Sequence, residues 1–197
     1  MPACAWRAGA TGGSSPIISS APTRTLRLAR GRNRRPSAGI LDTQSVRTGP
    51  QAGPRGYDAN KKVKGRKRVF LVDTEGLVQA LRVVPASAQD RDTPVLIEPE
   101  LAVGGLRRVW ADLAFAGERA AAPLARHRIA LELVGRRDKT GFAVEPRRWK
   151  IEQTFGCLQR YRRLLVDHEG STAMSRTMSL LAALFMTGAR FERQIMA

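Results

Sequence analysis

Cysteine, histidine and aromatic residues are scarce in this sequence: two Cys, two His and 6% aromatics among 197 residues. Cys4 and Cys157 cannot build a disulfide scaffold, and no Cys/His cluster has the spacing of a zinc site. This usage fits a reducing compartment, the cytoplasm. Long apolar runs are also missing. LLAALFM near the C-terminus is far shorter than the roughly 20 residues a membrane span requires, which argues against a membrane role. His127 and His168 have no partner spacing for a nucleophilic triad, and Gly104 with Gly105 does not make a phosphate-binding loop.

Acidic residues are the next shortage. The chain has 34 Lys and Arg against 17 Asp and Glu, a formal charge of +17 and a pI near 11.5. Between Arg24 and Arg68 stand 14 basic and two acidic residues, so this stretch holds most of the surplus. Such a balance favours a polyanionic partner, because phosphate contacts release condensed counterions and steer encounter. Residues 1–37 contain no acid and seven arginines. The composition resembles an organellar transit peptide, but no amphipathic period supports that. Residues 1–27 are instead expected to be a disordered or non-native lead-in, with ordered structure from near Ser37 and one catalytic domain over residues 28–193.

The pattern along the chain predicts a strand over Gly39–Val46, with Ile40, Asp42 and Val46 on one face. A loop is expected from Arg47 to Lys64. VFLV and LVQALRVV then form a hairpin around DTEG, where Asp73 and Gly76 take the first and last turn positions. Turn chemistry accounts for Asp73, which is therefore read as structural. Gln89–Leu101 is helical but broken by Pro94 and Pro99. RRVWAD is a short strand ending at Asp112, Glu118–His127 a helix, and IALELV a strand. Pro146 is suited to start a helix whose apolar face carries Ile151, Phe155, Leu158 and Leu165. A last helix runs from about Ser171 to Arg193. This order predicts an α/β fold: a ribonuclease-H-like mixed sheet with flanking helices, in which distant carboxylates meet at one edge.

Three acids stand out. Asp42 lies in the strand ILDTQSV, Asp112 ends the strand VWAD, and Glu152 sits in the basic helix RRWKIEQTFGCLQRYRRL. Hard divalent ions prefer carboxylate oxygens and keep several waters, so one or two carboxylates per ion suffice. Two Mg2+ or Mn2+ ions roughly 4 Å apart can activate a hydroxyl and stabilise a leaving oxygen at a phosphodiester. Asp42 is the natural bridging ligand, with Asp112 and Glu152 serving one ion each. Each acid has an alternative: an edge-strand Asp facing water, a helix-capping Asp, and a Glu paired with Arg148. That last pair has the less favourable order and is worth only about 0.5 kcal/mol. Candidate DNA contacts are Arg148, Lys61, Lys62, Lys64, Arg66, Lys67, Arg160 and Arg163, with Arg147, Lys150 and Arg162 extending the surface and Gln159 near it. Trp149 either stacks on an unpaired base or, the favoured alternative, packs against the sheet. Tyr161 between two arginines imitates a tyrosine recombinase, but the Arg and His company of that family is missing.

These residues carry a resemblance. ILDTQSV, YDANKKVKGRKRVFLVDTEGLV, VPASAQDRD, VWADLAFAG and RRWKIEQTFGCLQRYRRL with VDHE resemble the catalytic part of bacterial insertion-sequence transposases of the DDE type, in the group named after insertion sequence five. The likeness covers roughly residues 28–191. It implies a ribonuclease-H-like fold and a catalytic triad of Asp42, Asp112 and Glu152. It also implies cleavage at element ends and strand transfer with magnesium or manganese. The partners it implies are double-stranded DNA, as terminal inverted repeats and target, and a second copy of the chain when active. Two positions depart from the pattern around the last acid, where the family has Tyr and Lys and this chain has Glu145 and Gln159; Arg160 stands beside the latter. LAFAG replaces a loop that is usually Gly-Gly-Tyr-like. Residues 1–27 do not resemble the N-terminal segment of such proteins, so a truncated copy, a mispredicted start or the second of two frames joined by frameshifting is expected. The alternatives are a DNA-binding remnant without chemistry and a ribonuclease-H-like nuclease that cuts without joining.

Overall fold

The computed structural model describes residues 21–51, 53–135 and 148–196. Its central strand is β1 (Ala38–Arg47). Leu41 and Ile40 are both buried, but they belong to two different apolar clusters, one on each face of the sheet. A strand buried on both faces requires helices on both sides. β2 (Gly56–Asp58), β3 (Val63–Asp73), β4 (Val78–Pro85), β5 (Arg108–Ala111) and β6 (Ala130–Leu133) complete the sheet. β3 lies antiparallel beside β1, with β4 and the short β2 on its far edge. On the other side β5 runs parallel to β1, and β6 runs parallel to β5. This is the ribonuclease-H-like mixed sheet expected from the sequence.

The helices α2 (Glu98–Gly104) and α3 (Glu118–Ala125) bury Leu101, Ala120 and Leu124 against the Leu41 face. α4 (Trp149–Gln159), α5 (Arg162–Leu165) and α6 (Thr172–Ile195) bury Ile151, Leu158, Leu164 and Leu180 against the Ile40 face. Before α2, the prolines break Gln89–Leu101 into two short 3-10 turns, Asp90–Asp92 and Pro94–Ile97, as expected. Ser171 caps α6, its hydroxyl accepting from the Met174 amide.

The structure corrects several expectations. Ordered structure begins before Ser37: Ala21–Ala29 forms a helix, α1, whose Leu26 is fully buried and whose Arg27 pairs with Asp73. Burying one leucine is worth about 1.5–3 kcal/mol, enough to hold a short amphipathic helix in place once its neighbours are ordered. The stretch from Arg47 to Lys64 is not all loop, because Gly56–Asp58 adds to the start of β3. Leu165 is exposed, since extended backbone at Tyr161 ends the helix and resets the phase so that Leu164 is buried instead. Trp149 does not pack against the sheet; it is 40% exposed at the start of α4. Pro146, Glu145 and Arg147 lie outside the described residues, as do residues 1–20.

The basic run at the start of β3 shows the largest departure. Arg66, Lys67 and Arg68 are all buried. Arg66 Nη1 reaches Asp167 Oδ1 at 3.0 Å, and Lys67 Nζ reaches Asp90 at 2.7 Å and Asp58 at 3.4 Å. Arg68 donates to the Leu164 carbonyl, and burial pulls its pKa down to about 10. Buried charges persist where they are paired and hydrogen-bonded. Arg66 and Lys67 are thus internal struts rather than surface contacts for DNA.

Asp58 ties this network to the strand edge. It accepts from the Ser45 hydroxyl at 2.6 Å and from the Asn60 and Lys61 amides at 3.1 Å each. Burial alone would raise its pKa, but Ser45, the Lys61 amide and the Lys67 and Lys61 charges outweigh it, and the net direction is down. A carboxylate depressed in the folded state contributes stability above its unfolded pKa and loses it as pH falls through the folded value. Asp58→Asn is therefore expected to cost about 1–2 kcal/mol at neutral pH. Chemical denaturation across pH should show that gap closing on acidification through the carboxylate range; a pH-independent gap would contradict the assignment.

Candidate active site

The parallel register between β1 and β5 builds the site. Ile40 is opposite Trp110 in that ladder, so two residues further along each chain Asp42 and Asp112 stand side by side beyond the end of the pairing. Asp42 is on the same face as Ile40, the face that α4 covers. It is not an edge residue, since β3 flanks it on the other side at Phe70. Both aspartates are fixed by backbone amides through one oxygen. Asp42 Oδ1 accepts from the Thr43 N–H at 2.7 Å, and Asp112 Oδ1 accepts from the Ala114 N–H at 3.0 Å, capping a 3-10 turn over Leu113–Phe115.

The second oxygen of each carboxylate faces one cation. Arg148 Nη2 lies 3.0 Å from Asp42 Oδ2 and 3.8 Å from Asp112 Oδ2. Arg148 immediately precedes α4, and its Nε is buried without a hydrogen-bond partner. The guanidinium thus holds two carboxylates together on one side only. Burial pushes the Asp42 pKa up, the Arg148 charge and the Thr43 amide work against that, and the neighbouring Asp112 charge adds to the rise. Asp42 is nearly buried while the Asp112 side chain is about a third exposed, so the pair opens toward solvent on the Asp112 side.

Of the three predicted acids, the structure brings together two. Glu152 is exposed on α4, four residues after Arg148, and among the described residues no group of three His, Cys, Asp or Glu is placed to hold a metal ion. One helical turn, about 6 Å of rise, separates Glu152 from the arginine that touches both aspartates. The donor set at Asp42 and Asp112 suits a hard cation: two carboxylate oxygens, held by backbone, already converging on a positive group. Asp73, by contrast, is consumed by its turn, accepting from the Glu75 and Leu77 amides and pairing with Arg27.

The predicted DNA contacts divide in the same way. Lys62, Lys64 and Arg160 are exposed. Lys61 is exposed as well but donates to the Thr43 carbonyl at 2.8 Å, and Arg163 pairs with Glu169 at 2.9 Å. Arg66 and Lys67 are buried, as described above. What the sequence did not disclose is the role of Arg148 as the counter-cation of Asp42. The only signal was an arginine one turn before a glutamate in RRWKIE, which reads equally well as a surface charge.

A mixed sheet of this order with helices on both faces is a ribonuclease-H-like fold. The chain belongs to the transposase DDE domain family, whose model matches residues 33–186. A comparison with curated proteins finds no match. Among the described residues no helix is long and apolar enough to cross a membrane.

Arg148 supplies a test of this geometry. Arg148→Gln leaves Asp42 and Asp112 facing each other without a cation, so the already raised pKa of Asp42 should rise further. A carboxyl raised in the folded state loses stabilisation as pH climbs through its folded pKa. The variant is therefore expected to be less stable than wild type by about 1–3 kcal/mol at neutral pH. Thermal unfolding should show the two proteins converging as pH falls and Asp42 protonates. A deficit that persists unchanged in acid would show that Arg148 supports the fold by packing alone.

Proposed function

We propose that the chain cuts DNA at the ends of a transposable element and joins those ends to target DNA, with Asp42, Asp112 and Glu152 as the metal-binding triad. The observation that carries this is the convergence of Asp42 Oδ2 and Asp112 Oδ2 on a single positive group, in a chain of the transposase DDE domain family. Bound Mg2+ or Mn2+, two ions in the full assembly, supply activation of the attacking hydroxyl and neutralisation of the leaving oxygen.

The chain's own residues do the rest. The Thr43 and Ala114 amides orient the two aspartates before any ligand arrives, which limits reorganisation on binding. Glu152 is carried on a helix anchored by the fully buried Ile151, one turn after the arginine that touches both aspartates. Arg148 neutralises the two aspartates, and with a metal held between them its guanidinium would be free to pair with a phosphate of the cut strand. Exposed Trp149, beside it, is available to stack on a base unpaired near the cut. Lys61, Lys62, Lys64, Arg160 and Arg163 neutralise phosphates of the bound duplex, while Arg66 and Lys67 drop out of that set because they are buried. Pairing of two element ends calls for a second copy of the chain.

One observation favours a second reading, a DNA-binding remnant without chemistry: Glu152 is not gathered with the two aspartates. Supercoiled plasmid with Mg2+ separates the two. The wild-type chain is expected to nick it, and Asp112→Asn and Glu152→Gln are each expected to lower the rate at least a hundredfold, on the order of the loss seen when one transition-state charge stabiliser is removed. Joining of a pre-cut end to target DNA then distinguishes a transposase from a nuclease. Equal behaviour of wild type and Asp112→Asn would leave the remnant reading standing.

A further inference from the structure

A second basic feature lies away from the carboxylates. The far end of β1, the strand β2 and the start of β3 meet at Gly65, which is opposite Arg47 in one ladder and Gly56 in the other. Only glycine fits there, since a Cβ would stand 2.0 Å from the Val46 carbonyl oxygen. Around this junction Arg47, Arg55, Tyr57, Lys62 and Lys64 line a concavity of about 470 Å3. Tyr57 is directly opposite Lys64 across the β2–β3 ladder and is 56% exposed.

Three properties set this concavity apart from an ordinary solvated surface. Its four cations are exposed and, among the described residues, none has an ion pair, whereas Arg66 and Lys67 a few residues away are fully matched by acids. Among the described residues no acid lines it. Lys62 holds a left-handed backbone, φ 53°, where glycine or asparagine would be favoured, a cost of about 1 kcal/mol accepted with a lysine as the last residue of the turn before β3. Four like charges gathered around one hollow repel one another unless an anion is bound between them.

We infer that this concavity is a duplex-DNA backbone clamp separate from the cleavage centre, in which Arg47, Arg55, Lys62 and Lys64 neutralise consecutive phosphates and the Tyr57 hydroxyl donates to a phosphate oxygen. The inference rests on the reading of the chain as acting on DNA. The strand itself sets the spacing. Arg47 follows Asp42 by five residues of β1, about 17 Å at the rise of a strand. The clamp holds the flank and does not read sequence, because cations on phosphates position a duplex without distinguishing its bases.

The test is the salt dependence of binding to a labelled random-sequence duplex without divalent metal, so that chemistry does not enter. Each phosphate contact contributes about 0.9 to the slope of log K against log salt. The variant Arg47→Gln, Arg55→Gln, Lys62→Gln, Lys64→Gln is expected to bind with a slope shallower by about 3 to 4, while circular dichroism and thermal unfolding match wild type. The pair Lys62→Gln, Lys64→Gln, the milder change, should give about half that effect. A change in the fourfold variant of about 2 or more supports the clamp, and a smaller one overturns it. Preference of the wild-type chain for single-stranded over duplex DNA of equal length also overturns it. If wild type fails to bind either, the DNA reading itself falls; if wild type binds and the variant matches it, only the clamp does.

Discussion

The position of β1 between an antiparallel and a parallel neighbour is the constraint from which the rest follows. Both faces of the strand are buried, so a slip of one residue would drive Asp42 into the Leu41 core, away from Arg148, and pull Leu41 out of it. The register is thereby locked. Once it is locked, the Ile40–Trp110 pairing determines where Asp112 ends β5, and two carboxylates that are 70 residues apart in the chain become neighbours. The covering helices finish the arrangement by bringing Arg148 over the pair. A mixed sheet makes this possible because only a parallel neighbour ends on the same side as β1, leaving a gap beyond the ladder where side chains can meet.

Charge is used in two opposite ways in this molecule. In the interior, Arg66, Lys67 and Arg27 are each matched by an aspartate, and their removal from water is compensated by ion pairs and carbonyls. At the surface, among the described residues, Arg47, Arg55, Lys62 and Lys64 around β2 have no ion pair, and neither do Arg34, Arg35, Arg91, Arg107 and Arg128 elsewhere. The surplus of +17 is therefore not spread evenly over a solvated shell. Internal pairs remove some of the densest basic sequence from the surface, and one group of four exposed cations, Arg47, Arg55, Lys62 and Lys64, lines a single concavity. Arg148 belongs to both groups, being part-buried against aspartates and close to solvent.

The strand and hairpin order was legible in the sequence because period-two alternation and turn residues such as Asp73 and Gly76 are local signals. The break before α2 was legible from its prolines for the same reason. The α1 helix was not, since its single buried leucine is surrounded by arginines and only docking reveals that Leu26 has a place to go. Likewise RKRVFLVD looked like a basic arm leading into a strand. Its three cations are buried because Asp58, Asp90, Asp167 and the Leu164 carbonyl come from other elements, which no local pattern announces. Trp149 and Leu165 were misjudged through helix phase: the first lies at the very start of α4, and the second follows an extended residue that resets the turn.

The sequence by itself determined the class of fold and the basic character, and it singled out Asp42, Asp112 and Glu152 as candidate acids, because composition and alternation are carried by neighbouring residues. Tertiary structure alone decided that these two acids share one arginine, that Glu152 stays exposed one turn away, and which lysines and arginines face water. Those outcomes depend on ladder register and on partners distant in the chain. Electrostatic energy depends on separation in space and on exclusion of water, and neither quantity is written in the order of residues.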